Sequence, residues 1–401
     1  MQYVKGNPYF CKEFKKIKQY PYLNNDIETD ILIVGGGICG AILNYYLSKK
    51  FDVTLIDKGR IGQCCTSCAT AILEYQLDDF YSKLKNEFSK EEIIEIYKMG
   101  IKSVEKIEKF IKEHGNYCQF FKRPSFLYTT KENEYKLLKN EYELRKNNGL
   151  KCEFFTKNNN PFNFNIAYGI YAPNGGAELN PYLFTKQLIE NSKNQENIFE
   201  NTGYESMQQS DDGIYVRTNY NQIIKCKKII FATGFNLEEF DNQDIIERFA
   251  TYTIVTNKLK DFEWFNRATI HDTTEPYHYL RLLPDNRIIF GGEDAPFKKN
   301  NMQEKKANAK YKNLYNYLLK MFPFLKDKIK IEYSFCGCFG ATDNNLGLIG
   351  ETDVDNVYYF LSCGANGIVN AMYGVELMQN IFKNKQDKFE HLFTPLRVIN
   401  K

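Results

Sequence analysis

The sequence predicts an α/β protein in which a parallel-sheet domain carries an inserted α+β domain built on an antiparallel sheet. Three observations lead to this fold class. The chain has 401 residues, more than one ordinary domain usually contains. A strand, a glycine turn, a helix and a second strand follow one another near the N-terminus. The strand-like segments further along are too numerous for a simple doubly wound sheet.

The N-terminal unit is the segment TDILIVGGGICGAILNYYLSKKFDVTLIDK. The apolar run DILIV is typical of a buried strand, and the run AILNYYL after the glycines is typical of a helix. A second short strand ends at Asp57. The segment therefore predicts one βαβ unit.

The middle of the chain predicts a different kind of structure. Apolar residues recur every three or four positions over 90–114 and 131–146, which predicts two amphipathic helices covering a sheet face. Strand patterns occur at 126–130, 169–172, 213–218, 228–232, 252–256, 277–283 and 287–290. They favour a second domain with an antiparallel sheet.

Composition bears on partners and compartment. The 53 basic and 50 acidic residues leave a net charge of +3, and no basic block is present, so nucleic acid or an anionic membrane is disfavoured as the main partner. The uncharged run 31–48 contains four glycines and is interpreted as strand and helix rather than a membrane span. The N-terminal residues lack the apolar core of a signal peptide, and the eleven cysteines are expected to be reduced thiols. We therefore expect a cytoplasmic location.

The glycine turn fits the pattern GxGxxG between strand and helix. Gly35 would allow the tight turn, Gly37 would let backbone N–H groups approach a pyrophosphate, and Gly40 would let helix and strand pack closely. Asp57 ends the second strand, where its carboxylate can accept hydrogen bonds from a ribose. This Rossmann-like unit could bind NAD or FAD, and a purely structural glycine turn is the alternative.

Four stretches of the sequence decide between these cofactors. They are, in chain order, DIETDILIVGGGICG, GRIGQCCTSCATA, KKIIFATG and the C-terminal pair NNLGLIGE and VYYFLSCGANGIVNAMYGVELM. These stretches resemble, in the same order, the D-amino acid oxidase superfamily of FAD-dependent oxidoreductases, which includes glycine oxidase and sarcosine oxidase. The resemblance covers most of the chain and implies a Rossmann-like FAD-binding domain with an inserted antiparallel-sheet substrate domain. FAD is therefore the expected cofactor.

The cofactor-binding residues are predicted from these stretches. The loop before the last apolar helix would direct free N–H groups and a helix N-terminus at the flavin, although it could also be a plain turn. Thr66 and Ser67 could be helix caps instead of phosphate ligands. The full predicted set is Gly35, Gly36, Gly37, Ile38, Cys39, Gly40, Asp57, Lys58, Thr66, Ser67, Thr70, Thr233, Gly234, Gly364, Ala365, Asn366, Gly367 and Ile368.

The substrate side is predicted from the strand around residue 280. Alternation places Tyr277, Tyr279 and Arg281 on one face, with His278 on the other. Arg281 is the first candidate for anchoring an anionic substrate group, because a guanidinium suits a carboxylate and the chain has only nine arginines. A structural ion pair is its alternative. Tyr279, Arg281 and His278 form the predicted catalytic set, and His271 is a second candidate base.

One position departs from the family. Phe339 stands where amino acid oxidases of the family carry an arginine that holds the substrate carboxylate. An ordinary α-amino acid is therefore not the favoured substrate, and secondary amines, larger amines and hydroxy acids stay open.

The cysteines raise two further questions. Cys64, Cys65 and Cys68 resemble a metal cluster but lack a second pair of ligands nearby, so no metal site is predicted. Cys336 and Cys338 lie where a sarcosine-oxidase-like enzyme holds its flavin by a thioether. We expect non-covalent FAD, with a covalent link through Cys338 as the minor alternative.

The prediction as a whole is an FAD-dependent oxidoreductase that oxidises a small amine or amino acid derivative at a C–H next to nitrogen, with hydride transfer to flavin N5. Segments 1–85, 175–240 and 335–401 are assigned to the FAD-binding domain, and 86–174 and 241–334 to the substrate domain. The alternatives are an FAD-dependent 2-hydroxy acid or glycerol-3-phosphate dehydrogenase, a non-catalytic flavin redox protein, and an FAD-dependent RNA-modifying oxidoreductase, which the absence of a basic block disfavours. A small molecule is the expected partner, and the electron acceptor is open.

Overall fold

Two β-sheets organise the protein. A computed structural model describes residues 3–13, 18–77, 79–235, 245–298, 302–362, 364 and 366–399. Eight strands form one sheet and ten form the other.

The eight-stranded sheet has a parallel core. Its central strands run in the order β18, β11, β2, β3 and β8, all parallel, while β17, β10 and β9 pair antiparallel at the margins. The strands are β2 Ile27–Val34, β3 Val53–Ile56, β8 Ile198–Phe199, β9 Tyr204–Ser210, β10 Gly213–Thr218, β11 Ile223–Phe231, β17 Leu348–Glu351 and β18 Val357–Leu361.

The ten-stranded sheet is antiparallel except where β13 pairs with β5. Its strand order is β1, β16, β12, β15, β14, β13, β5, β7 and β4, and β6 also pairs with β7. The strands are β1 Val4–Gly6, β4 Ile72–Glu74, β5 Phe121–Thr129, β6 Glu153–Thr156, β7 Tyr168–Glu178, β12 Glu247–Thr256, β13 Thr269–Asp272, β14 His278–Leu282, β15 Ile288–Pro296 and β16 Ile331–Ala341.

The helices connect and cover these sheets. The α-helices are α1 Tyr9–Glu13, α2 Ile38–Leu47, α3 Cys65–Cys68, α4 Tyr81–Leu84, α5 Lys90–His114, α6 Tyr135–Asn147, α7 Pro181–Glu190, α8 Glu304–Met321, α9 Gly367–Ile381 and α10 Leu396–Ile399. Short 3-10 turns lie at Glu132–Glu134, Gln195–Asn197, Phe265–Arg267, Pro323–Leu325 and Glu390–Leu392.

The cores follow from the strand alternation. Ile31 and Ile33 of β2 belong to a core with residues of α2, α5, α7 and α9, whereas Leu32 and Val34 belong to a second core on the opposite face. Burial on both faces is what a parallel strand requires, and it explains the uninterrupted apolar run. The apolar face of α8 packs on the ten-stranded sheet in a third core.

The predicted fold class is confirmed, with a parallel βαβ sheet beside an antiparallel sheet. The helix predicted over 90–114 has those bounds, and a Ser89–Glu92 capping box fixes its start. The helix predicted over 131–146 is α6, preceded by a 3-10 turn. Each predicted strand overlaps a strand of the structure.

The proposed domain segments do not coincide with the sheets. β1 and β4 lie within 1–85, yet both pair within the ten-stranded sheet, and β7 continues across the predicted boundary at 174. The segment boundaries therefore stay a prediction. None of the described helices is long and apolar enough to cross a membrane.

Candidate cofactor and substrate site

A cavity of about 2130 Å³ opens between residues of the two sheets. Small-molecule pockets usually enclose about 300–1,000 Å³. The cavity therefore has room for a ligand of dinucleotide size together with a second small molecule. Its wall includes the turn after β2, the α3 segment, the end of β11, the loop before α9, and parts of β12, β14, β15 and β16.

The glycine turn after β2 has the conformation that its sequence predicts. Gly35 has a φ of +110°, and a Cβ there would lie 2.6 Å from the carbonyl oxygen of Ala232. A Cβ on Gly40 would lie 1.8 Å from the Gly35 oxygen, so only glycine lets α2 start this close to β2. A Cβ on Gly37 would contact only Thr66 Oγ1, at 3.5 Å. Gly37 lines the cavity, so its backbone is open to a ligand.

Asp57 is fixed at the end of β3, beside this turn. Its Oδ2 accepts a hydrogen bond from the Gly36 N–H at 2.7 Å, and its Oδ1 accepts one from the Gly59 N–H at 2.7 Å. Burial raises the pKa of Asp57, while the Gly59 and Gly36 N–H groups act against that shift. Asp57 and Lys58 both line the cavity.

Thr66 and Ser67, the two hydroxyl residues predicted to bind the cofactor, have different surroundings in the α3 segment. Thr66 lines the cavity, and its Oγ1 accepts the Ile38 N–H at 3.1 Å. The Ser67 hydroxyl instead donates to the carbonyl oxygens of Gln63 and Cys64 within its own turn, and Ser67 is 1% exposed. The structure contradicts the prediction that Ser67 meets the cofactor, because its hydroxyl is committed away from the cavity.

The end of β11 and the loop before α9 complete this part of the wall. Gly234 has a φ of +70° and open space where a Cβ would lie. The Thr233 hydroxyl is buried, and within the described ranges it has no hydrogen-bond partner. A buried hydroxyl without a partner is unfavourable, so this site suits a ligand with polar atoms.

Most of the predicted cofactor residues line the cavity. They are Gly35, Gly37, Ile38, Cys39, Asp57, Lys58, Thr66, Thr70, Thr233, Gly234, Gly364, Asn366, Gly367 and Ile368. Gly36 and Gly40 shape the turn without lining the cavity. Ala365 lies outside the described residues.

Aromatic residues line the part of the cavity where the substrate is predicted to bind. Tyr277 and Tyr279 both face it, as the predicted alternation requires, and the Tyr279 hydroxyl lies 2.7 Å from Thr251 Oγ1. Phe339 is also in the wall and stacks on Phe249 with ring centroids 5.6 Å apart. This end of the cavity therefore presents aromatic rings at the position where the family resemblance predicts an arginine.

Arg281 does not reach this cavity. Its guanidinium donates to the Thr70 carbonyl at 2.8 Å, to Glu178 Oε2 at 3.0 Å and to the Leu179 carbonyl at 2.8 Å. Arg281 is 1% exposed and Glu178 is fully buried, and Arg123 binds the other Glu178 oxygen. The prediction of a substrate anchor is wrong, because every arm of this guanidinium is committed to the protein. Its alternative, a structural ion pair, is what the structure contains.

His278 is also removed from the cavity. Its ring stacks on Tyr317 with centroids 4.1 Å apart, and its Nδ1 lies 3.1 Å from Asp272 Oδ2 and 2.9 Å from Thr274 Oγ1. His278 is 7% exposed. The structure therefore contradicts a catalytic role for His278, which lies in the packing between β14 and α8.

A histidine and a carboxylate do meet at the cavity wall. His271 Nδ1 lies 3.1 Å from Glu74 Oε2, and the Thr269 hydroxyl donates to Glu74 Oε1 at 2.9 Å. The Glu74 N–H and the Gln76 carbonyl bond the Asn366 side chain at 3.3 and 2.7 Å, which ties this pair to the loop before α9. His271 was a candidate base, but Glu74 carries no sequence signal, since only the pairing of β4 with β7 brings it here.

The cysteines near the cavity are free thiols. Burial raises the pKa of Cys338 to about 12. Among the described residues, no group of three or more metal-ligating side chains is arranged to hold a metal ion.

Comparisons with known proteins agree with this geometry. Residues 30–379 match the family model described as FAD dependent oxidoreductase. Among curated proteins, the chain is 21% identical to the "Putative Rieske 2Fe-2S iron-sulfur protein YhfW" of Bacillus subtilis, covering 98% of this chain and 77% of that protein. It is 23% identical to the gamma-glutamylputrescine oxidoreductase of Escherichia coli, covering 95% and 90%.

Solved structures show the same fold. Glycine oxidase from Geobacillus kaustophilus superposes with a TM-score of 0.77 at 16% identity, covering 92% of this chain and 98% of that one. L-proline dehydrogenase from P. horikoshii has a TM-score of 0.77 at 18% identity, covering 94% and 99%.

Proposed function

Because this chain belongs to the family of FAD dependent oxidoreductases, we propose that it binds FAD without a covalent bond and oxidises a small amine at a C–H next to nitrogen. The reacting carbon of that amine carries no carboxylate. Segments 1–85, 175–240 and 335–401 would hold the cofactor, and the remainder would hold the substrate.

The residues of the cavity fit FAD. The open backbone at Gly37 suits a pyrophosphate at the start of α2, and the Asp57 carboxylate suits a ribose. The Thr233 hydroxyl, which has no hydrogen-bond partner among the described residues, and the loop residues Gly364 and Asn366 would receive further polar atoms. When bound, FAD supplies the redox chemistry by accepting a hydride equivalent from the substrate carbon.

The residues at the substrate end of the cavity support the proposal that the substrate is an amine. Its wall joins the rings of Tyr277, Tyr279 and Phe339 to the Glu74 carboxylate. Aromatic faces and carboxylates attract an ammonium group and repel an anion. Of the described residues in the wall, the arginines are Arg60, which follows Asp57 at the cofactor end, and Arg145, whose Nε is paired with Glu141 at 2.8 Å.

The His271–Glu74 pair has a role in this proposal. In this proposal the Glu74 carboxylate, with its Oε2 3.1 Å from His271 Nδ1, holds the imidazole in place, and His271 Nε2 is the proton acceptor. A base at the wall lets the substrate amine lose its proton, and the neutral amine is the form that is oxidised. The gamma-glutamylputrescine oxidoreductase relative acts, by its name, on an amine, which supports the same class.

Anaerobic flavin bleaching tests the function. We expect butylamine to bleach the flavin at least tenfold faster than norvaline, which is the same molecule with a carboxylate on the reacting carbon. A repulsion of about 1.4 kcal/mol between that carboxylate and the cavity wall corresponds to a tenfold difference in the bleaching rate. Lactate and glycerol 3-phosphate serve as the matched probes for the other dehydrogenase classes.

Each other result of this experiment has a meaning. Faster bleaching by norvaline would contradict the proposal that the reacting carbon carries no carboxylate. Bleaching by lactate or glycerol 3-phosphate alone would show that the substrate is not an amine. A flavin that no probe bleaches, on a wider panel of primary and secondary amines, would favour a non-catalytic flavoprotein.

Acid precipitation tests the cofactor linkage. We expect all yellow colour to stay in the supernatant, because the high pKa of Cys338 leaves almost no thiolate to attack the flavin. Chromatography of the supernatant should give FAD. Colour in the pellet that is lost in a Cys338→Ala variant, but kept in Cys336→Ala, would establish a thioether instead.

A further inference from the structure

Several cysteines gather at one part of the cavity wall. Cys64, Cys65 and Cys68 lie in and just before α3, and β16 contributes Cys336 and Cys338. A Cβ on Gly337 would lie 2.4 Å from Cys68 Sγ, so β16 and α3 are in close contact. The proposed oxidation uses none of these thiols.

Two of the cysteines differ from the rest. Cys64 Sγ and Cys65 Sγ lie 3.7 Å apart, and Cys64 is exposed whereas Cys68, Cys336 and Cys338 are buried. Buried cysteines usually act as small apolar residues, which accounts for those three. It does not account for an exposed thiol beside a second thiol.

The pair is chemically asymmetric. The hydrogen bond from the Cys65 thiol is the largest cause that lowers the pKa of Cys64 to about 7. The same contact and burial raise the pKa of Cys65. One sulfur is therefore a thiolate near neutral pH while its neighbour keeps the proton, as in a nucleophilic and a resolving thiol.

The pair lies beside the glycine turn. The next residue is Thr66, whose Oγ1 accepts the Ile38 N–H and lies nearest to the position of a Cβ on Gly37. The charges of Asp57 and Lys58 also act on Cys64. A backbone change at 64–65 is therefore transmitted directly to the residues assigned to the FAD phosphates and ribose.

We propose that Cys64 and Cys65 are a redox-active thiol pair that a small-molecule disulfide converts reversibly to a vicinal disulfide, and that this disulfide weakens FAD binding. The Cys64 thiolate attacks the disulfide RSSR, forms a mixed disulfide and releases one RS⁻. The Cys65 thiol loses its proton and attacks the Cys64 sulfur, which releases the second RS⁻. Two protein thiols are oxidised, and one RSSR is reduced to two RSH.

The Cys64–Cys65 disulfide would be easily reduced. Consecutive Cα atoms are about 3.8 Å apart across a trans peptide, and most disulfides join Cα atoms about 4.4–6.8 Å apart. A disulfide between neighbours is strained for this reason, and strained disulfides are reduced more readily. The strain changes the backbone at 64–65, which moves Thr66 from Ile38 and couples oxidation to FAD affinity.

Glutathione disulfide tests the thiol pair in the reduced protein as purified. We expect mass spectrometry of the peptide containing 64–68 to show the loss of two hydrogens, reversed by dithiothreitol. Cys64→Ser should abolish this change. Cys65→Ser should trap glutathione on Cys64, because the resolving thiol is missing. Cys152→Ser, a half-buried cysteine outside the cavity wall, is the matched control and should behave like the wild type.

The pH dependence provides a test that needs no variant. Alkylation of Cys64 by iodoacetamide should be half-maximal near pH 7 and should move upward by about one unit or more in Cys65→Ser. The ionisable groups that act on this thiol are Cys65, Asp57 and Lys58, and the charge of Cys64 in turn acts on Cys68 and Cys338. A midpoint of wild-type Cys64 alkylation at pH 9, or a disulfide from Cys64 to Cys68 or Cys338, would contradict the proposal that Cys64 and Cys65 form the redox-active pair.

FAD affinity tests the coupling, which rests on the proposed FAD site. Oxidation should raise the apparent Kd for FAD at least tenfold in the wild type and leave it unchanged in Cys64→Ser. Saturating FAD should in turn disfavour the disulfide by the same factor, read as the ratio of reduced to oxidised 64–68 peptide at equilibrium in a glutathione buffer, since coupling between two equilibria is reciprocal. An unchanged Kd after complete oxidation would overturn the coupling. Failure of the amine assignment would appear only in flavin bleaching and leaves these measurements interpretable.

Discussion

A Gly37→Val protein should fold and lack its yellow colour. Gly37 has φ −70° and ψ −174°, an extended conformation that valine adopts without strain. A Cβ there meets only Thr66 Oγ1, at an ordinary 3.5 Å. The protein itself therefore tolerates the side chain, but the two methyl groups fill the space in front of the α2 N-terminus, where a pyrophosphate would lie.

The expected loss of affinity is large. Steric exclusion of the pyrophosphate and the loss of its backbone contacts should cost about 3 kcal/mol or more, which is at least a hundredfold in Kd. Flavin absorbance per protein and titration with FAD measure this. Gly37→Ala should be intermediate, because it adds only the Cβ.

A second glycine variant separates a binding defect from a folding defect. In Gly40→Ala the new Cβ would lie 1.8 Å from the Gly35 oxygen, so the protein should lose melting temperature as well as flavin. Gly37→Val should keep the wild-type melting temperature measured without FAD. A yellow Gly37→Val protein with wild-type affinity would contradict the assignment of the phosphate site.

The sequence predicted the cofactor side of the cavity well because that side is built from local geometry. Gly35, Gly37 and Gly40 have their roles within one turn, and Asp57 follows from the end of the next strand. Short-range backbone rules determine such positions. Ser67 was the exception, since its position in the sequence does not decide whether its hydroxyl bonds to the backbone of its own turn or to a ligand.

The substrate side was predicted poorly because it depends on contacts between distant segments. Alternation along β14 placed Tyr277 and Tyr279 correctly at the cavity. It could not reveal that β7 brings a buried carboxylate, Glu178, under Arg281. Nor could it pair Glu74 with His271, which lie on strands from opposite parts of the chain. The small number of arginines in the chain was a weak argument for a functional role of Arg281, because a buried structural ion pair also uses an arginine.

The position of Arg281 predicts a large effect on stability rather than on substrate binding. In Arg281→Met, a side chain of similar length keeps the packing but removes the donors to Thr70, Leu179 and Glu178. Glu178 is then a fully buried carboxylate with Arg123 as its remaining partner. Breaking a buried ion pair on one side typically costs about 3–5 kcal/mol, and a loss of this size is expected in the free energy of unfolding.

Urea unfolding measures this loss, with Arg217→Met as the matched control. Arg217 and its partner Glu205 are about half exposed, with 3.3 Å between Nε and Oε2, and exposed pairs typically contribute about 1 kcal/mol or less. The KM of folded Arg281→Met for its best amine should stay within about threefold of the wild type, since the side chain does not line the cavity. If Arg281→Met were no less stable than Arg217→Met and its KM rose tenfold, Arg281 would have to be returned to the substrate site.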